Sequence, residues 1–180
     1  MNTLQEALTN VIVHLSTITD IDKFRDDLLY GFRNYVRRFA LASDEYSVTA
    51  SAFFVISARD RSTPFRRSWK NKSGSGRKYD IKYDHAVPAK WVCTEILKHR
   101  WDALEIRNIL ERTSHIVILT PQENAKLDAE YKDTMPTADW NYAIDDAFAR
   151  YNDVGIEVKA QSTLQGRQRP TSHWSRGARF

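Results

Sequence analysis

The stretch "HIVILTPQENAKLDAEY", residues 115–131, carries the clearest signals of local structure in this 180-residue chain. Its first six residues are mostly β-branched and apolar, which predicts a short strand. Thr120 then suits a helix N-cap, Pro121 the first helical position, and Glu123 the position that completes a capping box. The stretch therefore predicts a strand that passes directly into a helix.

A second strand is predicted upstream of this stretch, in "KYDIKYDH", residues 78–85, where polar and apolar residues alternate. Pro88 suits the first turn of a following helix, which continues through "AKWVCTEILKHR". Asp102 suits the N-cap of another helix, "ALEIRNILERT". The order strand, helical insertion, strand and helix predicts an antiparallel strand pair with the last helix packed across it.

The rest of the chain is predicted to be mostly helical. We expect helices at residues 3–17, from an Asp20 cap to about residue 42, and from about 138 to 151. The run "YSVTASAFFVISA", residues 46–58, has no clear period and fits a buried strand or a buried helix, of which we favour the helix. "NKSGSGRK", residues 71–78, predicts a flexible loop. The expected fold is therefore a helix-rich α+β protein with segments 1–75, 76–152 and 153–180.

Composition and cysteine content limit the class of protein. Hydrophobic residues make up 42% and charged residues 28% of the chain, as in soluble globular proteins. No apolar run approaches the roughly 20 residues that span a bilayer, and the N-terminus lacks the pattern of a signal peptide. The single cysteine, Cys93, excludes an internal disulfide and a cysteine-based zinc site. These features predict a cytoplasmic protein that does not associate with membranes.

Basic residues are concentrated in two segments, although the net charge is only +4. Residues 61–82 hold eight cations against the single acid Asp80, with Phe65, Trp69 and Tyr79 interleaved, and the C-terminal tail is also basic. Such blocks attract phosphate backbones, so DNA is the expected partner. The cations predicted to contact it are Arg61, Arg66, Arg67, Lys70, Lys72, Arg77, Lys78, Lys82, Arg167 and Arg169.

Four polar residues are expected to gather where the two strands meet. In an antiparallel pair the end of the first strand lies beside the start of the second, so Asp84 and His85 should approach His115. Asn124, one turn into the following helix, is expected to point back to the same place. Carboxylate and amide oxygens with imidazole nitrogen suit Mg²⁺ or Mn²⁺, and a histidine that is not a ligand can accept a proton from water.

This order of elements resembles the HNH endonucleases, whose ββα-metal motif begins with an acid-histidine pair at the end of a strand. "DHAVP", residues 84–88, matches that pair and its following proline. His115 lies five residues before Thr120 and Asn124 four residues after it, as in the family pattern. The chain departs from the family in having a histidine in place of the central asparagine. It also has a long helical insertion and lacks the zinc-binding CxxC pairs.

The resemblance implies a metal-dependent DNA endonuclease of restriction or phage type. Asp84 and Asn124 would hold Mg²⁺ or Mn²⁺, His85 would be the general base, and His115 would orient it. Lys126 would lie near the phosphate. The segments would be an N-terminal helical region with a basic loop (1–75), a ββα nuclease core (76–152) and a basic tail (153–180). If the enzyme cuts palindromes, we expect a homodimer.

Two other functions fit the same sequence. The basic loop and tail would serve a non-catalytic nucleic-acid-binding regulator equally well. Glu157-Val158-Lys159 resembles the E-x-K element of the PD-(D/E)XK nucleases, in which the glutamate holds Mg²⁺ and the lysine assists the attacking water. That family also needs an aspartate from an earlier strand, for which the sequence offers no clear candidate.

Overall fold

The computed structural model describes residues 1–17, 25–43, 46–58 and 81–162. The predicted Asp20 cap and the Ser/Gly loop at 71–78 lie outside the described residues. So do the predicted nucleic-acid contacts, apart from Lys82 and Lys126.

Within these ranges the chain forms seven helices and four strands, so the predicted helix-rich α+β class is confirmed. The helices are α1 (Thr3–Ser16), α2 (Arg25–Leu41), α3 (Ala50–Ser57), α4 (Ala89–Lys98), α5 (Ala103–Thr113), α6 (Pro121–Tyr131) and α7 (Ala149–Asp153). The strands are β1 (Tyr46–Thr49), β2 (Lys82–His85), β3 (Ile116–Leu119) and β4 (Val158–Ser162). None of the described helices has the length and apolar character required to cross a membrane.

The strands form one mixed sheet in the order β2-β3-β1-β4. The predicted antiparallel pairing of β2 with β3 is confirmed, while β1 pairs parallel to β3 and antiparallel to β4. All four residues of β3 are buried, which explains its unbroken apolar sequence. The sheet therefore combines a strand from segment 1–75 and one from segment 153–180 with the two strands of the central segment.

The capping box that begins α6 is confirmed. The Thr120 hydroxyl accepts a hydrogen bond from the Glu123 N–H, and the Glu123 carboxylate accepts one from the Thr120 N–H at 2.8 Å. The same carboxylate accepts a hydrogen bond from the Thr49 hydroxyl at 2.7 Å. This cap therefore also ties α6 to the end of β1.

Two secondary-structure predictions were wrong in part. Residues 46–49 form strand β1, and only the following residues form the predicted helix, because β1 can pair on both sides with distant strands. Residues 138–148 form turns instead of a helix, and only α7 follows them. Side chains compete there for the backbone, since Asp145 accepts from the Asn141 N–H at 2.6 Å and Asp146 from the Phe148 N–H at 2.9 Å.

Three apolar clusters hold the described residues together. The largest joins α1, α2, α4 and α5, with Ile12, Val36, Ile96 and Ile109 among its buried members. The second packs α6 and α7 against one face of the sheet, and the third packs α3 against strands β1, β2 and β3. The end of β2 lies where these clusters meet, because Ala86 belongs to the second cluster and Val87 to the first.

Candidate functional site

The end of β2 and the start of β3 lie side by side, as the sequence predicts. His85 is paired with Ile116, and the Ala86 N–H donates to the His115 carbonyl at 2.8 Å. The backbones of His85 and His115 are therefore on neighbouring positions of adjacent strands. The feature that sequence reasoning did not use is the direction of each side chain.

Asp84 and His85 project from opposite faces of β2, because consecutive strand residues alternate between faces. Asp84 lies on the same face as Val117 and accepts a hydrogen bond from the Tyr151 hydroxyl. Val117 and Tyr151 both belong to the cluster beneath α6 and α7. His85 shares the other face with Tyr83, which packs in the cluster beneath α3. The acid and the histidine are thus adjacent in sequence without being directed at one point.

Asp84 is the centre of a network with α7. Its Oδ2 accepts hydrogen bonds from Arg150 at 2.8 Å and from the Tyr151 hydroxyl at 2.5 Å. Burial, followed by the charge of Asp84, raises the pKa of Tyr151 well above its ordinary value, so this hydroxyl keeps its proton and remains a donor. The Asp84 carboxylate is therefore already paired with a cation and a phenol.

Arg150 is buried, with 2% of its side chain exposed, and it forms hydrogen bonds with other groups besides Asp84. Its guanidinium also donates to the carbonyls of His85 at 2.5 Å, Ala86 at 3.0 Å and Tyr131 at 2.5 Å. One side chain thus joins α7, the end of β2 and the end of α6. The sequence offered no signal for this role beyond the presence of an arginine among apolar residues.

Asn124 lies in the first turn of α6, as predicted, and is 9% exposed. Its amide donates to Asp128, one turn further along the same helix, at 2.6 Å. Across the part of the chain that the structure describes, no group of three or more histidine, cysteine, aspartate and glutamate side chains can hold a metal ion. The predicted metal ligands Asp84 and Asn124 are bonded here to Arg150 and Asp128, so a Mg²⁺ or Mn²⁺ ion held by Asp84 would have to take the place of Arg150.

The other predicted residues lie on the surface or beside a cleft. Lys126 is exposed on α6, and Lys82 is partly buried at the start of β2. Glu157 and Lys159 are both exposed, and the Lys159 ammonium lies 5.7 Å from the centre of the Phe53 ring. His115 contacts the Phe148 ring and borders a cleft of about 410 Å³. The cleft is lined by Met1, Asn2, Gln5, Phe39, Ser43, Glu111, Ser114 and His115.

His85 lies within the electrostatic influence of a cation on α2 and a cation on α7. Burial, then the charges of Arg37 and Arg150, lower the pKa of His85 to about 4. Arg33 and Arg37 are one helical turn apart and both partly buried. The signal for this arrangement was the spacing of the two arginines beside Phe32 and Val36, which are core residues.

Cys93 on α4 belongs to the largest apolar cluster and is 1% exposed. Burial raises the pKa of its thiol to about 12, although Arg33 and Arg37 oppose the shift. We therefore expect no reaction with a thiol reagent such as dithionitrobenzoate in the native protein at pH 8, and one equivalent after denaturation. Rapid stoichiometric labelling of the native protein would contradict this burial.

Comparison with family models, curated proteins and solved structures gave no match to this chain. The functional interpretation therefore depends on the chain's own residues.

Proposed function

We propose that this protein binds nucleic acid through its basic segments. The observation that carries the proposal is the uneven charge: residues 61–82 hold eight cations against one acid, within a chain whose net charge is +4. Phosphate backbones attract such blocks, and the interleaved aromatic residues suit stacking on bases. The basic segment ends at Lys82 in β2, three residues before His85, so the fold joins it directly to the cationic surroundings of that histidine.

Metal-dependent cleavage of DNA is the second candidate, favoured by the succession of β2, β3 and α6 with His85 at the end of β2. A pKa of about 4 leaves His85 neutral at pH 7, as a general base must be, but makes it a weak proton acceptor. Cleavage through the predicted residues also requires that Asp84 exchange Arg150 and Tyr151 for a metal ion. These two requirements make binding without cleavage the better supported function.

Binding is tested by fluorescence anisotropy with a labelled DNA duplex at several salt concentrations. Each phosphate contact adds about 0.9 to the slope of log K against log salt. Replacing both Lys70 and Lys72 with glutamine should therefore reduce the slope by about 1.8. Replacing the exposed Lys90 and Lys132 removes the same charge elsewhere and should leave the slope unchanged. Absence of duplex and single-strand binding by the wild-type protein at low salt would refute the proposal.

Cleavage is tested in the same preparations by nicking of supercoiled plasmid with Mg²⁺ or Mn²⁺. We expect no nicking above background. Nicking that disappears with a chelator and falls by orders of magnitude in His85→Ala, with duplex binding retained, would establish the nuclease instead.

A further inference from the structure

Arg33 and Arg37 form a pair of cations on one face of α2. Their spacing of four residues places them one turn apart, and both side chains are partly buried. Helix α2 packs against α4, and both guanidinium charges act on Cys93 of that helix. Arg37 also acts on His85, so the pair extends from α4 towards the end of β2.

Within the described ranges, neither arginine has a hydrogen bond or an ion pair with a side chain or carbonyl. The Arg33 Nε is buried and has no hydrogen-bond partner in the part of the chain that the structure describes. A buried donor without a partner destabilises a folded protein, and more so when the group is charged. An anion bound at these arginines would therefore supply a partner that the described residues do not provide.

The neighbouring groups leave this pair available for a ligand. Arg150, the other cation whose charge acts on His85, is already bonded to Asp84 and three carbonyls. Asp84 projects from the face of β2 opposite to that of His85 and is bonded to Arg150 and Tyr151. Its charge therefore does not neutralise Arg33 and Arg37.

We propose that Arg33 and Arg37 form a binding site for a phosphate group. Two guanidinium forks match the charge and the geometry of a phosphate better than those of a single carboxylate. The phosphate comes either from free phosphate in solution or from a nucleic-acid backbone. Binding of a backbone phosphate rests on the proposed nucleic-acid binding and extends it, whereas binding of free phosphate is independent of it.

Inorganic phosphate is the first probe, with sodium chloride at equal ionic strength as the reference. At a phosphate concentration about 100 times the Kd, the wild-type melting temperature should rise by about 5 to 10 °C. Arg33→Gln and Arg37→Gln should each abolish this rise without lowering the melting temperature in chloride, because the charges removed have no partner among the described residues. Lys90→Gln, which removes an exposed cation from α4, should retain the full rise.

Lysine variants keep the proposal testable if either glutamine variant fails to fold. Arg33→Lys and Arg37→Lys retain the charge but lose the guanidinium fork, and phosphate should bind them at least about tenfold more weakly. Wild-type phosphate affinity in these variants, or an unchanged rise in the glutamine variants, would overturn a phosphate site formed by the two arginines.

A duplex with a phosphodiester backbone, compared with one carrying uncharged methylphosphonates, is the second probe. If backbone phosphate is the ligand, the two arginine variants should weaken binding of the charged duplex only. A rise with inorganic phosphate and no effect on duplex binding would assign the site to free phosphate. If neither the phosphate-induced rise in melting temperature nor the binding of the charged duplex depends on Arg33 or Arg37, the proposed phosphate site is refuted. Duplex binding that persists in both variants leaves the proposed function intact, so the two failures are distinguishable.

Discussion

Replacing Arg150 with methionine should lower the free energy of unfolding by about 3 to 5 kcal/mol. The change removes four hydrogen-bonded contacts from a side chain that is 2% exposed. It leaves the Asp84 carboxylate without its cation and three carbonyls without a donor. Domains are typically stable by 5 to 15 kcal/mol, so this loss represents a large share of the total.

Urea unfolding followed by circular dichroism measures the effect. Arg150→Lys is the matched control, because it retains the charge and the stem but reaches fewer acceptors, and its loss should be intermediate. Asp84→Asn should cost less than Arg150→Met, since the three carbonyl bonds remain. A loss below about 1 kcal/mol in Arg150→Met, the size of an exposed ion pair, would contradict a structural role for this network.

The same variants separate the two interpretations of Asp84. If Asp84 is a partner of Arg150, Asp84→Asn lowers stability and leaves nucleic-acid binding unchanged. If Asp84 is a metal ligand, the variant loses metal-dependent nicking without an equal loss of stability. The sequence alone could not make this distinction, because Arg150 lies 66 residues from Asp84.

The features that sequence predicted well depend on neighbours within a few residues. The capping box of Thr120 and Glu123 is an interaction between positions three apart, so its signal is contained in the sequence around it. The Asp102 cap of α5 is confirmed for the same reason, since its side chain accepts from the Glu105 N–H. Local hydrogen bonding specifies such elements before any tertiary contact forms.

The features that sequence missed depend on distant partners. Strand β1 is held by β3 and β4, which lie about seventy and about a hundred and ten residues further along the chain. The opposite directions of Asp84 and His85 could, in contrast, be predicted from the sequence, because successive side chains of any strand alternate between its two faces. Applying that rule to "KYDH" would have separated the acid from the histidine before the structure was known.

Acid should destabilise this protein through His85 by about 3 kcal/mol between pH 6.5 and pH 4. Burial, Arg37 and Arg150 lower the pKa of His85 from 6.5 to about 4 in the folded protein. The unfolded chain therefore takes up this proton first as the pH falls. The contribution of neutral His85 to the free energy of unfolding is fully present above pH 6.5, decreases as the pH falls below that value, and is lost below about pH 4.

Urea unfolding at pH 7, 6, 5 and 4 compares the wild type with His85→Gln, which has no titrating group at this position. The difference in unfolding free energy between the two proteins should change by about 3 kcal/mol across the range, to the disadvantage of the wild type at low pH. His14→Gln, a substitution at an exposed histidine of α1, should retain the wild-type dependence. Parallel curves for the wild type and His85→Gln would show that His85 is not held neutral by burial and by the arginines.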